Sequence, residues 1–105
     1  MDRRQFASLS LSVLILNFFE THNINNLHEL LLQIQSPFRF SKESQLEGYK
    51  YLENKLKDKE NINLIRINLL SMIKNDNLNN RVDVIDGKIL SHTEIRLYAA
   101  SQLYA

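Results

Sequence analysis

The chain has 105 residues, 44% hydrophobic and 24% charged, with thirteen Lys and Arg against twelve Asp and Glu. That is one domain's length, too apolar for a disordered chain, and a net charge of +1 gives no hold on nucleic acid or an anionic membrane surface. The absence of cysteine excludes disulfides, thiolate catalysis, iron–sulfur clusters and Cys-ligated zinc, while two glycines and one proline leave no material for a Gly-rich phosphate loop.

The N-terminal stretch differs from the rest. Asp2-Arg3-Arg4-Gln5-Phe6 is followed by thirteen uncharged residues, Ala7 to Phe19. A short basic region before an apolar run too short to span a bilayer is the layout of an export signal. The arginine pair with Phe6 two positions on resembles the twin-arginine signal, an address read by export machinery. The alternative is an ordinary N-terminal helix with Asp2 as its cap, although two cations at a helix N-terminus oppose the dipole. Residues 1–22 are therefore expected to be a signal or an anchor helix associating with the membrane through 7–19, and residues 23–105 a small helical domain.

That domain reads as all-α, a bundle of about four helices. Leu27, Leu30, Leu31 and Ile34 make one helix face, which ends where Pro37 pushes Ser36 out of the helical region. Ser41 caps a second helix with Leu46, Tyr49, Leu52 and Leu56 as its apolar stripe. Asn61 caps a third, and eight of the twelve residues Ile62–Ile73 are apolar, the composition of a central helix with neighbours on several sides. Asn75–Asn80 reads as a loop. Val82–Ile85 and Lys88–Leu90 flank the turn signal Asp86-Gly87, so a short hairpin near 82–90 is expected. Ser91 and Glu94 then form a capping box, with Leu90 and Ile95 placed as a hydrophobic staple, and the last helix runs to about Leu103.

Catalytic chemistry has little to stand on. His22, His28 and His92 include no pair at i, i+4 spacing and no His-Glu-x-x-His motif. Glu43 and Glu47 share an exposed helix face. Ser91 has a capping job and no partnered base. Tyr49, Tyr51, Tyr98 and Tyr104 sit at spacings that serve a core as well as a cofactor. No catalytic residue, cofactor or metal site is assigned. On the last helix, Ile95, Tyr98, Ala99 and Gln102 form a side that either faces a partner or packs internally, and Ser91, Glu94, Ile95 and Tyr98 are the candidate residues for framing and making that contact.

Asp86-Gly87, then Leu90-Ser91, Thr93-Glu94 and Arg96-Leu97 with small residues following, resembles a pattern of small twin-arginine-signal proteins, as does the Asp2–Phe6 start. The family is the small subunit of membrane-bound, FAD-dependent sorbitol-, fructose- and gluconate-type dehydrogenases. Lys88 stands where that pattern has an aromatic, and Tyr98 where it has cysteine. The resemblance implies a cofactor-free accessory subunit, exported to the periplasm or its membrane face, that assists a larger flavoprotein subunit. The other reading is an exported or membrane-tethered helical protein without an enzyme partner; a third is a cytoplasmic interaction module.

Overall fold

The computed structural model describes residues 24–56 and 58–104. Their elements in order are α1 (Leu27–Gln33), α2 (Lys42–Lys55), α3 (Ile62–Leu78), β1 (Val82–Ile85), β2 (Lys88–Ser91), α4 (His92–Ser101) and a closing 3₁₀ turn (Gln102–Tyr104). The described part is thus mostly helical, with four helices and one two-stranded antiparallel hairpin.

Short polar side chains start every described helix. Asn26, Ser41, Asn61 and Ser91 each accept a hydrogen bond from a backbone N–H of the turn that follows, satisfying donors the helix cannot pair internally. At the start of α1, the Leu27 N–H also reaches the Lys59 carbonyl at 3.1 Å, tying that end to the entrance of α3. After α1 the Ser36 hydroxyl accepts from the Phe38 N–H and donates to the Phe38 carbonyl, which closes the turn around Pro37. Gln102 holds the same loop from the far end of the chain: its Oε1 accepts from the Phe40 N–H at 2.9 Å, and its Nε2 donates to the Phe38 carbonyl.

The hairpin turn has φ of +50° at Asp86 and +79° at Gly87. Two consecutive positive φ values give the two-residue turn whose twist matches paired strands, and Ile85 pairs with Lys88 across it.

Two expectations are corrected by the packing. The third helix does not stop before Asn75; it runs to Leu78, past Asn75, Asp76 and Asn77. It ends when Asn80 turns left-handed at φ +57° and the Arg81 N–H closes on the Asp76 carbonyl at 2.9 Å, a helix stop for which asparagine is well suited. Nor is this apolar helix the centre of the domain. That place belongs to α4, which packs against α1, α2 and α3. The core joins Leu27, Leu30 and Leu31 of α1, Leu52 of α2, Ile65, Leu69 and Ile73 of α3, and Leu97 and Ala100 of α4.

The α2–α4 seam is set by a residue without a side chain. A Cβ at Gly48 would stand 2.8 Å from the Arg96 carbonyl oxygen, 3.2 Å from the Ala99 Cβ and 3.3 Å from the Ala100 nitrogen. Gly48 and the Ala99-Ala100 pair thus allow backbone contact that any larger residue would block. This seam turns α2 about its axis, so Leu46 is exposed while Gly48, Leu52 and Leu56 are buried.

Candidate functional site

Four elements meet where the hairpin becomes α4. The capping box is present in both directions: the Glu94 N–H donates to Ser91 Oγ at 3.1 Å, and the Ser91 N–H to Glu94 Oε1 at 2.9 Å. Both residues are fully buried. The second carboxylate oxygen of Glu94 is buried without a partner among the described residues. Burial pushes the Glu94 pKa above the ordinary carboxylate value; the Ser91 hydrogen bonds pull it down, and the negative charge of Asp76 adds to the upward shift.

Asp76 is the second buried carboxylate, and it joins α3 to α4. Its Oδ2 accepts from the Thr93 N–H at 2.8 Å and from the Thr93 hydroxyl at 2.7 Å, while its Oδ1 takes Arg81 Nε at 3.1 Å. The first turn of α4 is therefore capped twice, by Ser91 from within and by Asp76 from α3, both placing oxygen at the positive end of the helix dipole. The His92 N–H continues the hairpin ladder to the Arg81 carbonyl at 3.0 Å. With these bonds made, the turn is a rigid polar frame inside an apolar core.

The side of α4 offered to a partner is mostly covered. Tyr98 is buried, its ring edge-on to Phe38 at a centroid distance of 5.5 Å. Burial and then the nearby Glu94 raise its pKa. Ala99 lies against Gly48. Ile95 lines a surface cleft of about 420 Å³ that it shares with Phe40, Tyr51, His92 and Arg96. Of the two readings of this side, internal packing holds for Ala99 and Tyr98: Gly48 of α2 lies on the first and Phe38 on the second. Arg3, Arg4, Phe6 and the run 7–19 lie outside the described residues.

A second cleft, about 450 Å³, opens over the frame and is lined by Tyr51, Lys55, Asp76, Arg81, His92 and Arg96 together with Met72 and Asn75. The Arg96 guanidinium stands 4.1 Å from the centroid of the Tyr51 ring, and Lys55 Nζ lies 5.8 Å from the same centroid. Arg96 Nη1 donates to the His92 carbonyl at 3.3 Å, and His92 Nε2 lies 3.2 Å from Asp83 Oδ2. Sequence reasoning missed Asp76, Thr93 and these basic residues. Asp76 was hidden in an Asn-rich stretch that reads as a loop. The only local signal for the others was spacing: Tyr51 and Lys55, like His92 and Arg96, are i, i+4 pairs.

The remaining feature is the outer face of α3. Leu64, Ile67 and Leu78 are 43%, 55% and 75% exposed. With Ser71 and Lys74 they recur at intervals of three and four and so lie on one stripe, opposite the buried Ile65, Leu69 and Ile73. Among the described residues, no group of three or more His, Asp or Glu side chains is placed to hold a metal ion, and no helix is long and apolar enough to cross a membrane. No protein family, curated protein or solved structure matches this chain.

Proposed function

We propose that this chain is a non-catalytic accessory subunit, a small helical module that docks on a larger exported flavin-dependent dehydrogenase and assists its assembly and export. The observation that carries the reading is the second apolar stripe on α3. A helix apolar on two sides is normally enclosed, yet here one side packs on α4 while Leu64, Ile67 and Leu78 stay open. Lys74 lies on the same stripe, and the helix's one acidic residue, Asp76, is buried. The stripe therefore fits an apolar partner surface with an acidic rim. The resemblance at Asp2–Phe6 and Asp86–Ala100 supplies the partner's identity: the flavoprotein subunit of sorbitol-, fructose- or gluconate-type dehydrogenases. Arg3, Arg4 and Phe6 would carry the export address for both chains.

Coexpression with a flavin-dependent dehydrogenase encoded beside this chain tests the reading. Co-elution as one flavin-absorbing complex is expected, with Ile67→Arg abolishing it while the isolated chain keeps its melting temperature. Arg3→Lys combined with Arg4→Lys should leave both proteins in the cytoplasm, since the receptor distinguishes guanidinium from ammonium. Separate elution of the two wild-type chains, or normal export of the double variant, would remove the proposal.

A further inference from the structure

The cleft between α2 and the hairpin–α4 junction has a chemistry of its own, separate from the docking stripe on α3. Its lining brings three basic side chains, Lys55, Arg81 and Arg96, and His92 against one lining carboxylate, Asp76, while Asp83 pairs with His92 from the neighbouring cleft. Asp76 is 3% exposed and already committed to Thr93 and to Arg81 Nε.

Both guanidiniums are held from behind. Arg81 is fixed through Nε by the buried Asp76, and its two terminal nitrogens find no acceptor among the described residues. Arg96 is stacked on Tyr51 and tethered through Nη1 to the His92 carbonyl. Lys55 approaches the same ring and pairs with no carboxylate among the described residues. Oriented guanidinium forks with unused donors are what oxyanion recognition requires, because an anchor through one edge leaves the other edge fixed in direction. The backbone N–H groups at the start of α4 are not available for this work, being bonded to Arg81, Asp76 and Ser91.

We propose that this cleft binds a phosphate-class oxyanion, as free phosphate or as the phosphoryl group of a small metabolite, with Lys55, Arg81 and Arg96 as its ligands. Three cationic donors arriving from α2, from the entrance to β1 and from α4 suit a tetrahedral anion with several terminal oxygens. A carboxylate is saturated by one fork and would leave the other two cations unmatched. The cleft's volume of about 450 Å³ leaves room for a small organic moiety beyond the phosphoryl group, and the Tyr51 ring supplies an apolar wall.

The test is a titration of the full chain with inorganic phosphate, glycerol phosphate and acetate at matched ionic strength and pH, followed by amide chemical shifts and calorimetry. Saturable shifts confined to residues around Tyr51, Arg81, His92 and Arg96 are expected with both phosphates and not with acetate. Lys55→Gln and Arg96→Gln, each checked for an unchanged fold, should each weaken binding about tenfold or more, the scale of one lost charge-assisted bond. Arg81→Gln also strips a partner from Asp76 and so is not the deciding variant. Equal affinities for the two phosphates would assign free phosphate as the ligand, and tighter binding of the ester would assign a phosphorylated metabolite. Acetate binding as well as phosphate, shifts scattered over every exposed cation, or wild-type affinity in both variants would each overturn the proposal.

Discussion

Helices α3 and α4 exchange the places their compositions suggest. The apolar α3 leaves Leu64, Ile67 and Leu78 in the open, whereas α4 is central while burying Ser91 at its cap and Thr93, Glu94 and Ser101 within its length. Burial of polar groups becomes tolerable when each finds a partner close at hand. Ser91 and Glu94 pair through their backbone N–H groups, Ser91 Oγ and Glu94 Oε1, leaving Glu94 Oε2 as the exception; Thr93 meets Asp76, and the Ser101 hydroxyl donates to the Tyr98 carbonyl at 2.6 Å. Small residues then decide how near a neighbour can come. Ala99 and Ala100 admit Gly48 and the α2 backbone, while the outer face of α3 has no such partner among the described residues. Hydrophobicity sets how much apolar surface must be covered somewhere; local polar satisfaction and side-chain size set which helix is surrounded.

The sharpest way to break this contrast is to remove the buried acceptor that serves α4. Asp76→Ala leaves the Thr93 N–H and hydroxyl without a partner and releases Arg81. Each buried orphan costs about 1–3 kcal/mol, so a loss of about 3 kcal/mol or more is expected in urea denaturation, enough to unfold much of a marginally stable domain. A loss below 1 kcal/mol would show that water replaces Asp76 and that the frame is not what holds α4 inside.

The seam comes next. Gly48→Ala gains about 1 kcal/mol of helix propensity but drives a methyl to 2.8 Å from the Arg96 carbonyl oxygen. Overpacking of this kind costs about 1–3 kcal/mol, so a net decrease of up to about 2 kcal/mol is expected, along with a shift of the Arg96 and Ala99 amide resonances. A stabilised variant would mean that α2 slides freely on α4. Ser91→Ala follows, with a loss of about 0.5–2 kcal/mol typical of a removed N-cap, read as a lower melting temperature.

A smaller effect is expected from titration of Glu94. Its carboxyl has a folded pKa raised above the unfolded value, chiefly by burial. The folded state therefore holds the proton more tightly, and the stability contributed by Glu94 is fully present below the ordinary carboxylate pKa. It is lost as pH rises through the raised folded value. Glu94→Gln keeps an oxygen for the Ser91 N–H and carries no charge to bury. Subtracting the two stability–pH curves should leave a downward slope for the wild type that begins as pH rises above the ordinary carboxylate pKa. An upward slope there would mean that the Ser91 hydrogen bonds outweigh burial.

The smallest expected effect lies on α3. Ile67→Ser and Leu64→Ser should change stability by no more than about 0.5 kcal/mol, as exposed positions do, since neither side chain belongs to the core. Serious thermal damage from either would place the outer stripe inside the folding unit and end the contrast between the two helices.

Most helix starts were legible because a cap is a local event: Ser41, Asn61 and Ser91 act on N–H groups within the next three residues. The hairpin turn was legible for the same reason, Asp86 and Gly87 being residues that accept positive φ. The end of α3 was not, because its last turn is closed by Asn80 and held by Asp76 reaching Thr93, seventeen positions away. The basic cleft was equally hidden, since Tyr51 and Arg96 are distant in the chain and become neighbours only when α2 lies on α4.

The sequence by itself determined the helical class, three of the four described helix starts, the hairpin turn and the capping box, all set by contacts within a few residues. Tertiary structure alone decided that α4 is central, that Tyr98 is buried against Phe38, that Leu46 and Ile67 face outward, and that Lys55, Arg81 and Arg96 line one cleft. The physical reason is the approach distance between α2 and α4, fixed by the missing side chain of Gly48 and the small ones of Ala99 and Ala100. Hydrophobic patterning registers residues that fill space, and this fold is arranged around the ones that leave it empty.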